Sequence, residues 1–341
     1  MKEGIAFAGT IAVDKIKLID DYPPESELRS INKLIESVGG AVSNCAISLA
    51  KIDNKMPIEI IANIGNDAEG RFILSELEKY ENIDLEQLNI EDSKQTPFTD
   101  VLQNIKNKKR TYFTYKGTCS RFNNQTINFE KLKSPIIHIA YLLLLEELDK
   151  SDRTYGTKMA KLLCKAQELG FKTSIDIVSE KSERFKEIIP PSLKYTDYCI
   201  INEIEAGYIV GIELKNHEDN LVSNNVKKAL TMIKAMGVSE CVIIHCPEGS
   251  FGFDGDQYYS VPSLKVDQDK IKGTVGAGDA YCSGILYGMS KGLDIECSME
   301  LGTAAATTSL YHEDSVSGVL NYEELISLYK RNPKQQKLII K

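Results

Sequence analysis

The chain has 341 residues, of which 42% are hydrophobic and 26% charged, and its 41 basic against 49 acidic residues give a formal net charge of −8. Glycine and proline occur at ordinary frequencies, which excludes collagen-like and low-complexity disordered chains. The acidic balance argues against a nucleic-acid partner, because binding to phosphates needs a cationic face. A short basic run at 106–110 is interpreted as a solvated turn.

No apolar stretch approaches the roughly 18 residues of a membrane-spanning helix, and the first residues lack a signal-peptide pattern. We therefore expect a cytoplasmic protein with no membrane partner. The eight cysteines include no Cys-x-x-Cys pair, and the four histidines include no pair at helical ligand spacing. This local spacing indicates neither a zinc module nor a disulfide framework, so buried thiols are the expectation.

Two segments, 14–36 and 97–117, have the alternating pattern of paired strands, and the second is typical of a hairpin with a polar turn. We predict that they meet in a small β-sheet lid, although an edge extension of the main sheet is an alternative. The remaining residues, 1–13 with 37–96 and 118–341, are then the main domain.

From about residue 132 onward, short apolar runs rich in β-branched residues alternate with amphipathic stretches. This rhythm predicts an α/β fold with a doubly wound, mostly parallel sheet and helices on both faces. Ligands of such a sheet bind at the carboxyl ends of its strands. The predicted strands cover 136–140, 173–177, 198–201 and 241–244, and the predicted helices cover 157–170, 226–237, 279–289 and 302–310.

A glycine-rich turn, Gly276, Ala277 and Gly278, precedes the predicted helix that starts at Asp279. Glycines here let backbone N–H groups converge at a helix N-terminus, which forms an anion site. Tyr281 occupies the third glycine position of a Rossmann fingerprint, and a Walker motif is absent from the sequence. An anion site beside a carboxylate indicates phosphoryl transfer to a hydroxyl. A tight loop with an acidic first-turn residue is the structural alternative.

Four motifs in this chain resemble, in the same order, the signatures of the ribokinase-like (PfkB) carbohydrate kinase family. They are GGAVSNCA at 39–46, IGNDAEG at 64–70, NEIE at 202–205 and GTVGAGD at 273–279. The resemblance covers nearly the whole chain. It implies an ATP- and Mg²⁺-dependent kinase that phosphorylates a hydroxyl of a sugar or sugar-like alcohol. A hydroxymethyl group is the favoured acceptor. In the second motif, Asp67 is interpreted as a loop carboxylate that fixes a turn.

The resemblance also implies roles for individual residues. Asp279 is similar to the family's catalytic base, and the 276–278 backbone to its anion hole. Asn202 and Glu205 resemble the pair that orders Mg²⁺ and its waters near the ATP phosphates, with Glu205 reaching the metal through water. The same spacing is that of a helix N-cap and its capping-box partner, and both interpretations fit one residue pair.

The residues expected to contact the nucleotide depart from the family pattern. Many members have T-x-G-x-x-G after the fourth predicted strand of the α/β region, whereas this chain keeps only Gly249. We predict nucleotide contacts from Gly249, from Thr274 and from His312, the last because of its place after the final predicted helix. The family's leading Asp is Gly273 here. Because that carboxylate often helps bind an activating monovalent cation, the need for K⁺ stays open.

Five residues are candidates for the alcohol substrate. Asp14 ends the first predicted strand, and the family has an acidic residue here that accepts hydrogen bonds from sugar hydroxyls. Gly39 and Gly40 allow a substrate to lie against the backbone, and the amide of Asn44 suits a polyol. Arg110 opens the return strand of the lid hairpin, from which a cation can meet a sugar acid or phosphate. Capping residues and a surface Arg are the structural alternatives.

The leading prediction is therefore a carbohydrate kinase. A nucleoside kinase of the same family is the nearest alternative, because Tyr112, Phe113 and Tyr115 of the lid can stack on a base. A catalytically silent sugar-binding or regulatory protein on the same fold and a dinucleotide oxidoreductase are the others, although the latter lacks its phosphate-binding fingerprint. The lid strands have free edges, so we expect a homodimer formed through the lid.

Overall fold

A computed structural model describes residues 3–107, 109–180 and 182–340. Within these residues, nine strands form the main sheet, four form a separate sheet and two form a short ribbon. The strands are β1 (Ile5–Gly9), β2 (Ala12–Ile19), β3 (Lys33–Gly39), β4 (Ile58–Gly65), β5 (Ile83–Glu91), β6 (Phe98–Asn104), β7 (Arg110–Tyr115), β8 (Ile136–Leu142), β9 (Ser151–Asp152), β10 (Gly156–Thr157), β11 (Lys172–Ile177), β12 (Tyr198–Asn202), β13 (Cys241–Cys246), β14 (Gly249–Phe253) and β15 (Tyr258–Pro262). The helices are α1 (Ala41–Ile52), α2 (Ala68–Leu77), α3 (Glu146–Asp149), α4 (Lys158–Glu168), α5 (Arg184–Leu193), α6 (Glu203–Val210), α7 (Ser223–Ala235), α8 (Ala277–Ser290), α9 (Ile295–Ser309) and α10 (Tyr322–Arg331).

The main sheet has the strand order β15-β14-β13-β12-β11-β8-β1-β4-β5. The strands from β13 to β5 run parallel, and β14 and β15 are antiparallel at one edge. Alternate residues of β1 face opposite sides: Ile5 and Phe7 pack with α1, α8 and α9, whereas Ala6 and Ala8 belong to the core with α4, α5 and α7. Because both faces are covered by helices, the doubly wound fold predicted from the sequence is confirmed.

Helix α8 begins at Ala277, two residues before the start predicted at Asp279. Gly276 is its N-cap and adopts φ 76°, a conformation that favours glycine. Asp67 caps α2, and its Oδ1 accepts a hydrogen bond from the Gly70 amide at 2.8 Å. The interpretation of Asp67 as a carboxylate that fixes a turn is therefore confirmed.

The small sheet has the strand order β3-β2-β6-β7, in which β2 and β6 run parallel and the other pairs are antiparallel. It is separate from the main sheet, so the alternative of an edge extension is wrong. Its strands include Ala12, Val13 and residues 37–39, which belong to the main domain in the division predicted from the sequence. The turn of the β6–β7 hairpin contains Lys108, which lies outside the described residues, and the interpretation of the basic run stays a prediction.

The placement of Asp14 at the end of a main-sheet strand is wrong. Strand β1 ends at Gly9, which adopts φ 122° where its backbone packs against the Ala140 carbonyl. The chain then leaves the main sheet, and Asp14 is the third residue of β2, paired with Ser37 and Thr99 in the small sheet. The apolar run in the sequence continues across this change of sheets, which is why the pattern did not reveal it.

Candidate active site

Two cavities meet at the N-terminus of α8. The first, about 430 Å³, lies between the two sheets, and Asp14, Asn44 and Asp279 are among its lining residues. The second, about 460 Å³, lies between the β13–β14 turn, α8 and α9. His245 and Gly278 line both cavities. Ligands held in the two cavities would therefore face each other across this one turn.

Asp279 lines the first cavity with 4% of its surface exposed. Its Oδ2 accepts a hydrogen bond from Asn44 Nδ2 at 2.8 Å, and its Oδ1 accepts one from the Tyr141 hydroxyl at 2.6 Å. Burial raises the pKa of Asp279, and the hydrogen bonds from Tyr141 and Asn44 oppose that rise. The two donors fix the carboxylate, which is therefore oriented to accept a proton from a group in the cavity.

Four carboxyl groups face the first cavity. Burial and the charge of Asp279 raise the pKa of Asp14 to about 7, against the opposing effect of Arg110. Burial also raises the pKa of Glu205 to about 7, and burial with the charge of Glu205 raises the pKa of Asp176 well above its usual value. Such crowding of buried acids in a cleft is typical of functional sites, and it favours a bound cation.

The first turn of α8 presents free amides. The first intrahelical hydrogen bond runs from the Ala280 amide to the Gly276 carbonyl at 2.8 Å, so the amides of Ala277 and Gly278 precede the helical ladder. A Cβ at Gly276 would lie 2.5 Å from Ser315 Cβ, which leaves room only for glycine. The turn therefore has the geometry of an anion site, and the helix dipole favours negative charge there.

Asn202 and Glu205 form a capping box at the start of α6. The Asn202 side chain accepts a hydrogen bond from the Glu205 amide at 2.9 Å, and Glu205 Oε2 accepts one from the Asn202 amide at 3.0 Å. Glu205 Oε1 accepts a further bond from Ser179 Oγ at 2.7 Å. The capping interpretation is confirmed, and both residues also line the first cavity. Because both oxygens of Glu205 are engaged, a cation in the cavity would meet this carboxylate through water.

The predicted glycine pair shapes the first cavity in two ways. Gly40 is the N-cap of α1 with φ 79° and lines the cavity, and a Cβ there would lie 2.7 Å from the Thr10 carbonyl oxygen. Gly39 does not line the cavity, but a Cβ at this position would overlap the carboxylate of Asp14. Asn44 lines the cavity, and its Oδ1 is buried without a hydrogen-bond partner among the described residues.

Arg110 opens β7 as predicted but lines neither cavity; it lies beside Tyr112, which does line the first. Its Nη1 and Nη2 are buried without a hydrogen-bond partner among the described residues. A Cβ at Gly273 would lie 2.7 Å from Arg110 Nη2 and from the His312 carbonyl oxygen. Because Gly273 offers no carboxylate and a guanidinium stands beside it, these residues do not fit a monovalent cation. The His312 side chain is exposed and lines neither of the two cavities.

The second cavity contains two of the predicted nucleotide contacts, Gly249 and Thr274. Burial lowers the pKa of His245 to about 4, so this ring is neutral at pH 7 where it packs on Tyr281 at 4.7 Å between centroids. A largely apolar pocket next to an anion site suits a ligand with a flat ring and a phosphate chain. Its apolar walls include Leu264, Val266, Ile271, Ala306 and Leu310.

Tyr141 and Asp176, two polar residues of the first cavity, are not among the residues predicted from the sequence. Both lie near the carboxyl ends of buried strands, β8 and β11, and both line the cavity. A polar residue near the end of an apolar run was the available signal, because the ligands of such sheets bind at strand ends.

The fold is ribokinase-like, and its two cavities meet at a helix N-terminal turn beside the buried carboxylate of Asp279. The chain belongs to the family described as pfkB family carbohydrate kinase, whose model matches residues 5–319. It is therefore a sugar or nucleoside kinase of that family. The helices in the described residues are too short or too polar to cross a membrane.

The chain is similar in sequence to two named kinases and in fold to a solved ribokinase structure. A nucleoside kinase from Methanocaldococcus jannaschii is 23% identical over 308 residues, with 89% of each chain covered. A 5-dehydro-2-deoxygluconokinase from Listeria innocua is 27% identical over 350 residues, with 94% of each chain covered. The structure of Arabidopsis thaliana ribokinase complexed with ribose and ATP has a TM-score of 0.76 at 19% identity, covering 97% of this chain and 99% of that one.

Proposed function

We propose that this kinase transfers the γ-phosphoryl group of ATP to a hydroxymethyl group of a sugar or sugar-like alcohol, with Mg²⁺ as cofactor. The observation that carries the proposal is the junction of the two cavities at Gly278, with Asp279 on one side of it. An alcohol in the first cavity and ATP in the second would place the hydroxyl and the phosphate on either side of one turn. The shared fold with a ribokinase that holds ribose and ATP supports this arrangement.

In the proposed reaction Asp279 accepts the hydroxyl proton while the substrate oxygen bonds to the γ-phosphorus. The bond to the β,γ-bridging oxygen breaks, and ADP leaves. Tyr141 and Asn44 hold the carboxylate by their hydrogen bonds to its two oxygens. The amides of Ala277 and Gly278 stabilise the charge on the transferred group, because preorganised donors act strongly in a site that excludes water.

The residues present fit Mg²⁺, which prefers oxygen ligands and usually keeps several waters. Asp176, Asn202 and Glu205 bring carboxylate and amide oxygens to the first cavity, beside Asp279. Glu205 and Asn202 would hold the ion through water, since their side-chain oxygens already accept hydrogen bonds. When bound, Mg²⁺ neutralises charge on the ATP phosphates.

The small sheet is proposed as a lid and as a dimer interface. Tyr112 and Thr114 of β7 line the first cavity, so Phe113 between them faces the opposite side, where it is 61% exposed. An apolar side chain on the outer face of a sheet whose end strands are β3 and β7 favours pairing with a second copy of the chain.

A nucleoside as the acceptor is the second candidate. The Tyr112 ring lines the first cavity, where it can stack on a base, and the Methanocaldococcus jannaschii relative is a nucleoside kinase. Both candidates use the same residues for phosphoryl transfer and differ only in what the lid contacts.

An ADP-release screen with Mg²⁺ and ATP tests the proposal. The acceptors are ribose, fructose, 2-keto-3-deoxygluconate, 5-dehydro-2-deoxygluconate, inositols and nucleosides. With the best acceptor, Asp279→Asn should lower turnover about 10³-fold with little change in substrate affinity. Asp256→Asn, in an exposed turn between β14 and β15, is the matched control and should keep wild-type turnover. An Asp279→Asn variant with wild-type turnover would remove the proposed base, and a screen without any reacting acceptor would contradict the proposed reaction.

A further inference from the structure

Three groups that bind soft metals lie together next to Asp279: the thiols of Cys45 and Cys282 and the imidazole of His138. Their ligand atoms all lie within 4.8 Å of one another, and all three residues are buried. Cys282 Sγ is 3.9 Å from His138 Nδ1 and 3.8 Å from its Nε2. The residues come from α1, β8 and α8, three elements packed in the centre of the molecule, so their mutual positions are set by the fold.

The His138 ring is held in the way that metal-binding imidazoles usually are. Its Nδ1 lies 3.0 Å from Ser174 Oγ on the neighbouring strand β11, so Nε2 is the ring nitrogen left for a metal ion. The Phe7 ring packs edge-on against it at 5.8 Å between centroids. A hydrogen bond through one ring nitrogen fixes the orientation of the other, which is the arrangement found around most histidine ligands.

We propose that Cys45, His138 and Cys282 bind one thiophilic divalent cation, for which Zn²⁺ is the probe. In a tetrahedral zinc site with bonds of about 2.3 Å to sulfur and 2.0 Å to nitrogen, the ligand atoms lie roughly 3.5–3.8 Å apart. The spacing of Cys282 and His138 is already close to this value. All three ligand atoms lie within 4.8 Å of one another, so movements of about 1 Å would bring them to the separations of a tetrahedral site.

Charge balance favours a divalent ion at this buried site. On binding, the two thiols release their protons to solvent, and two thiolates with a neutral imidazole and a divalent cation have a net charge of zero. A monovalent cation would leave one uncompensated negative charge in the interior, which is costly. Two oxygens of Asp279 lie beside Cys45 Sγ, the backbone carbonyl oxygen at 3.5 Å and Oδ1 at 4.0 Å.

This site is chemically distinct from the oxygen donors around Glu205. Thiolate and imidazole ligands select soft and borderline ions, whereas carboxylates with waters select Mg²⁺. The proposal does not rest on the identity of the acceptor or on the role of Asp279 in the reaction. Local motif spacing in the sequence did not indicate the site, because its ligands are separated by 93 and 144 residues and meet only in the fold.

Titration of the reduced protein with Co²⁺, in excess Mg²⁺ to occupy oxygen sites, tests the proposal. The expected result is a sulfur-to-cobalt charge-transfer absorption that saturates at one Co²⁺ per chain and is abolished by one equivalent of Zn²⁺. Cys45→Ala and Cys282→Ala should each lose this absorption and weaken Zn²⁺ binding at least 100-fold. Cys199→Ala removes an equally buried thiol outside the cluster and should change neither. A wild-type protein without the absorption, or an absorption that persists in both cluster variants, overturns the proposal.

X-ray absorption at the zinc edge of the wild-type protein, loaded with one equivalent of Zn²⁺, keeps the test decisive if a variant fails to fold. Two sulfur neighbours at about 2.3 Å and at least one nitrogen at about 2.0 Å are expected. A first shell of oxygen and nitrogen alone would place the ion elsewhere and overturn the assignment. This measurement does not depend on kinase activity, so a negative result would leave the proposed function unchanged.

Discussion

The carboxylate of Asp14 occupies the space that a Cβ at Gly39 would need. This contact between two paired strands of the small sheet positions the Asp14 carboxylate at the first cavity. Gly39→Ala should therefore displace the carboxylate rather than unfold the chain, because the overlapping atoms are the end of a flexible side chain. We expect KM for the alcohol to rise about tenfold with a smaller change in kcat.

Steady-state kinetics of Gly39→Ala beside Gly170→Ala separate this effect from the general loss of a glycine. Gly170 adopts φ 87° and has no atom within 4 Å of a Cβ placed on it, so its replacement strains the backbone away from both cavities. The control should lower the melting temperature and leave KM unchanged. An unchanged KM in Gly39→Ala would mean that Asp14 does not contact the substrate.

The buried carboxyl of Asp14 predicts a pH-dependent stability. Its pKa is raised from 3.8 to about 7 in the folded protein by burial and the charge of Asp279, so between these values the folded state binds a proton that the unfolded state lacks. The stabilising contribution is complete below pH 4 and is lost as the pH rises through 7. Between pH 5 and pH 8, the free energy of unfolding of Asp14→Asn should gain on the order of 2–3 kcal/mol relative to wild type.

Urea unfolding of both proteins at the two pH values measures this difference. Groups shared by the two chains cancel in the comparison, so the slope belongs to Asp14 and the neighbours coupled to it. A difference that stays flat, or that moves in favour of the wild type at high pH, would contradict a raised pKa at Asp14.

The two glycines of the α8 turn should separate turnover from stability. A Cβ at Gly276 meets Ser315 at 2.5 Å, and its φ of 76° is strained for alanine, so Gly276→Ala should lose at least 1 kcal/mol of stability as well as turnover. A Cβ at Gly278 has its nearest contact at 3.6 Å, to His245, so Gly278→Ala should fold normally. Because its methyl group would project where the cavities join, we expect turnover to fall at least tenfold. Melting curves measure the stability of the two variants, and initial rates measure their turnover. Wild-type rates in Gly278→Ala would contradict an anion site at this turn.

The architecture and most of the α8 turn could be predicted because both depend on local features of the sequence. These features are the spacing of apolar residues and a cluster of glycines. The sequence pattern misplaced Asp14 because an apolar run does not show where a chain changes sheets. It missed Tyr141 and the Cys45, His138 and Cys282 cluster for a related reason. Those contacts join strands and helices more than 90 residues apart, and their distances exist only after the main sheet has brought α1, β8 and α8 together.

The outer face of the small sheet predicts a dimer. Sedimentation velocity at micromolar concentration should give the mass of two chains, and Phe113→Ser should raise the dimer dissociation constant at least tenfold because it removes an exposed apolar side chain. Met232→Ser, a comparable exposed apolar residue on α7, is the matched control and should stay dimeric. A wild-type monomer at these concentrations would contradict the lid interface.

The contact between Arg110 and Gly273 predicts that activity does not depend on K⁺. The guanidinium lies where a side chain at 273 would project, and its two terminal nitrogens are buried without hydrogen-bond partners among the described residues. A fixed positive charge here disfavours a second cation, because like charges in a buried place repel. Rates in potassium, sodium and choline buffers of equal ionic strength should agree within about twofold.

Arg110→Met extends the same test. Removal of the guanidinium takes away the charge that lowers the pKa of Asp14, so that pKa should rise and KM for the alcohol should increase at neutral pH. Potassium should not restore the wild-type KM, because Gly273 still supplies no carboxylate to hold the ion. A several-fold activation of the wild type by K⁺ over Na⁺ would contradict this account, since it would require a cation site that these two residues do not form.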